Sequence, residues 1–573
     1  MRKVLAVLLV FVVLSGGCIS GTAKGGTSSS PSPEVSPSHT AQASSTGTSS
    51  TATTGTSATP ARLSLEPVST PITDGLYVEV DPNLELLSIV FRLAKPQWYS
   101  YHDPNFQGVS DPSYPYLKDI DDHFGRYRDS KAVRMALNLS SRGFGQEEML
   151  LLAIYMDTHS REALRKITSE TNVSEAEVNA FVSAVLEFSK ESDFKTFYTG
   201  HRRFYREVVG NFSRKNPDIA SILPRAEGFF RLRLNPVRIL LEPSMVGYYE
   251  AFAIDADEGV ALYIGLGMEG VVKGRPFFST GRGLGGVNAP TAIAWLMAFP
   301  LFNRAFSPYS SNLSAYGGLY ENVKEVMKEW GISNVQEMVV ATSTAAFVTY
   351  YLNSTYGPET AEGYMWWYAT GGLYFLPEFS RVTSGYMKAP NRDFNMLVRE
   401  LVQTTGKVYA KTNGGRDLSR VIPTPTVLDF ARKARKTGMK IFYNPKALDE
   451  ARTVASLMQY LGVGNYTLHT ILKVSSSDLR GNIVLIVDSD DLLYKLIENQ
   501  LAVEFNGSTV HSRVTGKAYH GPTMFAEVLQ NPWDPSGLLY IEVTQDWGTS
   551  SSVPVHYLMH YVVSQGHGIL EIR

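Results

Sequence analysis

The sequence predicts an α+β chain: a mainly helical domain with a small antiparallel sheet, followed by a small Rossmann-like α/β domain. Three observations carry this. Apolar residues recur at helical spacing through Ser160–Thr171 and Ser174–Lys190, where Ser174-Glu-Ala-Glu177 reads as a capping box. Strand patterns follow at Phe229–Leu241, Tyr248–Ile254 and Val260–Gly265. From about residue 435, strands and helices alternate, which argues a parallel sheet with crossover helices.

The chain of 573 residues opens on a targeting segment. Met1-Arg2-Lys3 is basic, and Val4–Leu14 is an apolar run too short to span a bilayer. Leu14-Ser-Gly-Gly-Cys18 resembles a lipoprotein processing site that ends a signal segment at 1–18; cleavage just before Cys18 makes it the lipidated N-terminus. Cys18 is the one cysteine in the chain, so neither an intramolecular disulfide nor a Cys-based metal site can form. Residues 19–62 read as a disordered stalk: between Ile19 and Pro60, 22 of 42 residues are Ser or Thr, and none is Phe, Trp or Tyr. Seven Asn-x-Ser/Thr sequons, at Asn138, Asn172, Asn211, Asn312, Asn353, Asn465 and Asn506, agree with the extracytoplasmic face of a membrane. A net charge of −2 with 19% charged residues gives no sign of nucleic-acid binding.

The first folded region, 63–405, starts with an alternating strand, Leu76–Asp81, and an apolar helical stretch, Leu84–Leu93. Helical patterns resume at Ala289–Phe306, Glu321–Trp330, Val335–Asn353 and Pro358–Tyr368. Residues 406–434, with Gly414-Gly415 and Pro423-Thr-Pro425, read as a linker. In 435–573, strands are expected at Lys440–Tyr443, Tyr466–Ile471, Ile483–Val487, Leu538–Val543 and Ile569–Ile572. Helices are expected at Pro445–Leu461, Leu492–Asn499, Met524–Gln530 and Val553–Gln565.

Several constellations invite a chemical reading. Gly265-Leu-Gly-Met-Glu-Gly270 matches a dinucleotide fingerprint, but Val271–Pro276 reads as a hairpin, not as the helix that would face pyrophosphate. Asp488-Ser-Asp490-Asp491 ends an apolar strand, where carboxylates can hold magnesium; helix capping is the plainer reading. His556 and His560, four apart on an expected helix, with His567 downstream, are weak metal candidates. Asp119, Asp121, Asp122 and His123 read as a solvated helix face. Tyr364-Met-Trp-Trp-Tyr368 with Tyr374-Phe375 is either core or the lining of a sugar or peptide groove. No cofactor is called for.

Val80-Asp-Pro82, Leu84–Leu93 and Tyr116–Phe124 resemble a family of secreted archaeal and bacterial proteins with a domain-of-unknown-function label and a zinc-metallopeptidase-like domain. The resemblance covers about residues 75–400. It implies a central helix bearing H-E-F-S-H-x-F-V-N-P-L, in which two imidazoles hold zinc and the Glu polarises water. With Pro300-Leu301 under the motif's Pro-Leu, Thr291 falls under the first His, Ala292 under the Glu and Trp295 under the second His. A downstream acid would correspond to Glu337. The chain's 11 histidines leave none between His201 and His469, and no His-Glu dipeptide occurs. The zinc motif is therefore degenerate. The expectation is a lipid-anchored surface protein whose metallopeptidase-like domain binds a peptide, glycan or envelope partner without cutting it. Two alternatives stay open: a structural envelope component acting through the C-terminal domain, and a hydrolase using another site.

Overall fold

The computed structural model describes residues 63–108, 114–278, 289–545, 547, 555–565 and 568–573. Cys18, the stalk and His567 lie outside them. Strands β1 (Val68–Thr73) and β2 (Leu76–Val80) lead into helix α1 (Pro82–Ala94). Asp81 caps α1 by accepting from the amides of Asn83 and Leu84, and Pro82 fills its first turn, where no amide is needed. Lys95, in the left-handed region at φ 47°, ends it. Every residue of α1 from Pro82 to Leu93 is buried. Helices α2 (Pro115–Phe124), α3 (Glu175–Glu191) and α4 (Arg202–Lys215) are among those that follow, and Ser174 and Glu177 form the expected capping box on α3.

Next come strands β3 (Leu234–Val246), β4 (Tyr249–Ala256), β5 (Gly259–Val272) and β6 (Arg275–Phe278). The first sheet runs β1-β2-β3-β5-β4, with β6 also on β5. It is mixed, not antiparallel as expected: β2/β3 and β3/β5 are parallel, the other pairs antiparallel. The long helical crossover between β2 and β3 brings the chain back in the same direction. The expected strand start at Phe229 is also corrected. Ile222–Phe230 is helix, and the strand begins at Leu234.

The glycines of β5 have a packing role. A Cβ at Gly265 would lie 2.5 Å from the Tyr248 ring; at Gly267 it would lie 2.6 Å from the Tyr248 amide nitrogen and 2.8 Å from the Met245 carbonyl. The β5–β6 hairpin stands where a nucleotide fingerprint needs a helix. Gly267→Ala is expected to cost about 1–3 kcal/mol in urea unfolding, because backbone must move. Gly228→Ala, in a helix with open space around the added methyl, should instead stabilise by up to about 1 kcal/mol.

Helices α5 (Ala289–Phe306), α6 (Val335–Tyr356) and α7 (Pro358–Thr370) form the next layer, with α5 and α7 both packed on α6. Inside α6, Thr342, Ser343 and Thr344 are buried and return their hydroxyls to the carbonyls of Met338, Val339 and Val340. Helix Phe394–Lys411 runs across residue 405.

The second sheet holds β7 (Met439–Tyr443), β8 (Tyr466–Thr470), β9 (Ile483–Asp488), β13 (Met524–Gln530), β14 (Leu538–Thr544), β15 (Tyr561–Gln565) and β16 (Gly568–Ile572). Helix α8 (Val427–Thr437) precedes β7 and α9 (Leu448–Tyr460) follows it; β10 (Val503–Asn506), β11 (Thr509–Ser512) and β12 (Ala518–His520) form a small separate sheet. The order is β16-β15-β13-β14-β9-β7-β8. The β14-β9-β7-β8 part is parallel, as the alternation predicts; the rest is antiparallel. Two expected helices are strands. Met524–Gln530 has helix-forming composition but is buried on both faces of the sheet, and packing overrides propensity. Of Val553–Gln565, the part from Tyr561 is strand β15.

Candidate functional site

The α5 face that the resemblance marks for zinc is part of the core. Thr291 and Ala292 are buried, and Trp295 is 2% exposed. The Trp295 ring stacks on Tyr368 of α7, with centroids 5.3 Å apart and planes at 23°. Trp330 meets the same Tyr368 edge-on at 5.3 Å, and Tyr364 lies at 4.4 Å. Trp295 Nε1 is buried with no hydrogen-bond acceptor among the described residues. A threonine hydroxyl, a methyl and an indole do not make a zinc donor set, so the side chains on α5 do not fit the metal.

Glu337 is a capping residue. Its carboxylate accepts from the Ser333 amide at 2.7 Å, the Ser333 hydroxyl at 2.9 Å and Asn334 Nδ2 at 2.9 Å, while its own amide donates to Asn334 Oδ1. It belongs to the start of α6, not to the Trp295 cluster.

The histidine pair is not on a helix. His556 lies in an irregular segment, with Nδ1 2.9 Å from Thr370 Oγ1 and its ring 3.9 Å from that of Trp367. Burial lowers its pKa to about 4, so it is neutral. His560 has Nδ1 2.9 Å from the Pro425 carbonyl and Nε2 3.8 Å from Glu527. Each ring has its own partners, and the irregular backbone over 555–560 removes the shared face a helix would have given them.

The α7 aromatics face the C-terminal domain. Trp367 packs on His556, the Arg573 guanidinium sits 4.9 Å over Trp366, and Arg573 pairs with Glu362 at 2.7 Å. The Leu558 amide donates to the Thr370 carbonyl at 3.0 Å. Thus Trp366 and Trp367 form a seam between the two sheets' domains.

At the end of β9, Asn444 Nδ2 donates to Asp488 at 3.0 Å and Asp491 at 3.1 Å, and Asp491 also accepts from the Asp488 amide. Asp491 precedes a four-residue helix but makes no side-chain cap there. The α2 acids are in part ion-paired, Asp121 with Arg92 at 2.9 Å and Asp122 with Lys118; Asp119 lies 3.2 Å from His201 Nε2, and His123 Nε2 is 2.7 Å from the Ser192 carbonyl. Of the sequons, Asn172, Asn465 and Asn506 are exposed outside helices, and Asn138, Asn312 and Asn353 are exposed on helices. Asn211 is half-buried on α4 and accepts from Arg214.

Sequence reasoning missed a buried carboxyl pair, Glu85 on α1 and Glu242 on β3. Tyr116 donates to Glu85, and its hydroxyl is 2.9 Å from that of Tyr205. Glu242 accepts from Ser244 Oγ at 2.7 Å and the Ser244 amide at 3.1 Å; Ser244 Oγ is 2.6 Å from Ser88 Oγ. Burial first, then repulsion from Glu242, hold the Glu85 pKa well above the usual carboxylate range, and burial raises Glu242 likewise. The pair therefore retains a proton near neutral pH. Its signal was present in α1: Glu85, Ser88 and Arg92 make a polar stripe at i, i+3 and i+7 in an otherwise apolar helix.

Among the described residues, no group of three or more His, Cys, Asp or Glu is arranged to hold a metal ion. None of the described helices is long and apolar enough to cross a membrane. No curated protein and no solved structure matches the chain. A domain of unknown function, DUF4932, covers residues 76–356, the span from β2 to the end of α6.

Proposed function

We propose that the chain is a lipid-anchored surface protein whose large domain is a metallopeptidase-like fold kept for binding a peptide, glycan or envelope partner, not for catalysis. The observation that carries this reading is Trp295 stacked on Tyr368 where the resemblance expects a zinc-bound imidazole. An indole in that volume leaves no position for a metal and its water. The hydrolase alternative loses its histidines, since His556 and His560 are engaged at the seam and in the second sheet.

A second reading is a structural envelope component that acts through the C-terminal domain. The seam of Trp366, Trp367, His556 and Arg573 favours it, because it spends the exposed-looking aromatics on holding that domain in place. Both readings require the anchor. Cys18→Ala is expected to move the protein from the membrane fraction into the medium. If the variant stays with the membrane at the level of the parent, the lipid anchor is wrong.

A further inference from the structure

The second sheet ends at β8, which pairs with β7 and with no other strand among the described residues. Its outer edge therefore carries backbone N–H and C=O groups available to another strand. Both faces are also open: Thr467, Leu468, His469 and Thr470 are all exposed. Monomeric proteins protect such an edge with lysine, proline, a bulge or an inward-pointing charge. Here none is present between Tyr466 and Leu472.

The neighbouring surface has the same character. From Thr453 to Leu472 there is no Asp, Glu, Lys or Arg, in a chain with 19% charged residues. This stretch forms the later part of α9 and all of β8. It leaves Tyr460 67%, Leu468 37% and Leu472 74% exposed. Large apolar groups on an uncharged surface beside an open strand mark a contact surface.

We propose that this edge pairs with a second copy of the chain, β8 running antiparallel to β8 about a two-fold axis at Leu468. A two-fold contact sets each patch against its own twin, so a charged patch repels itself and an uncharged one does not. Leu468 then faces Leu468, Thr467 faces His469, and Tyr466 faces Thr470. Three β-branched or aromatic side chains per strand, Tyr466, Thr467 and Thr470, suit the pleated surface. The exposed sequon Asn465 lies just outside the paired residues. The contact joins two second sheets into one continuous sheet and places two large domains on one assembly.

The test uses the full chain made in a host that adds no Asn-linked glycans, purified in detergent. Sedimentation is expected to show a dimer at about 100 μM, and Leu468→Lys should weaken it roughly tenfold or more without changing the melting temperature. Residues directly opposed in an antiparallel pair have Cα atoms about 4.5–5.5 Å apart, within disulfide reach. Leu468→Cys in a Cys18→Ser background should therefore give a disulfide-linked dimer under mild oxidation, and this variant stands even if the lysine variant misfolds. A monomeric parent at that concentration, or a folded Leu468→Cys chain that does not cross-link, overturns the proposal.

Discussion

Trp295→Ala is expected to lower the unfolding free energy by about 3–5 kcal/mol, the range for emptying a fully packed large aromatic site. The indole is buried between α5 and α7 and stacks on Tyr368, which Trp330 and Tyr364 also touch. Removing it leaves a void that these rings cannot close without shifting α7, and α7 carries the seam to the C-terminal domain. Trp295→Phe should cost less than about 1.5 kcal/mol, because the stack survives and the lost Nε1–H had no acceptor among the described residues. Urea unfolding of the two variants separates a packing role from a ligand-binding one. Equal, small losses for both would mean that the site is not the packed core described here.

Stability is expected to fall as pH rises from about 4.5 to about 7. Burial raises Glu79 and Glu527 each to about 7, and the Glu85–Glu242 pair is raised by burial as well. Between the unfolded value near 4.3 and these folded values, the native state binds more protons than the unfolded one. The associated stabilisation is thus fully present below the unfolded value and is lost as pH passes the folded one. A single buried group shifted this far contributes on the order of 3 kcal/mol. His102 and His556 act in the opposite sense: burial lowers each to about 4, so their own contribution falls as pH drops from about 6.5 towards 4 and only partly offsets the carboxyls. Four carboxyls outweigh two imidazoles, so the maximum should lie near pH 4.5. Melting temperature across pH 4–8.5 checks this, and Glu242→Gln should flatten the alkaline limb. An alkaline limb equally steep in that variant would remove the carboxyl pair from the explanation.

Local signals were the legible ones. The capping box at Ser174 and Glu177, the β5–β6 hairpin after Gly270 and the parallel half of the second sheet are all written in short-range pattern. What escaped depends on distant partners. β2 joins β3 in parallel across a long helical excursion, so the first sheet could not be read as mixed from its later strands alone. Met524–Gln530 has a helix former's composition, and its strand state comes from lying between β14 and β15. The spacing of His556 and His560 suggested a shared helix face; the chain there is irregular and then extended, so the two rings part. Glu85 was not singled out, because its partners Glu242, Tyr116 and Tyr205 are remote in the chain. That Thr291, Ala292 and Trp295 offer no zinc donor set was visible in the residues themselves. Their burial, and the ring that Trp295 stacks on, were not.

The most direct test of a non-catalytic α5 is the zinc content and peptidase activity of the purified full chain after incubation with zinc and removal of excess metal. Less than about one tenth of a zinc per chain and no cleavage of an unstructured protein are the expected results. One tightly held zinc per chain together with cleavage that Trp295→Ala abolishes would contradict the account.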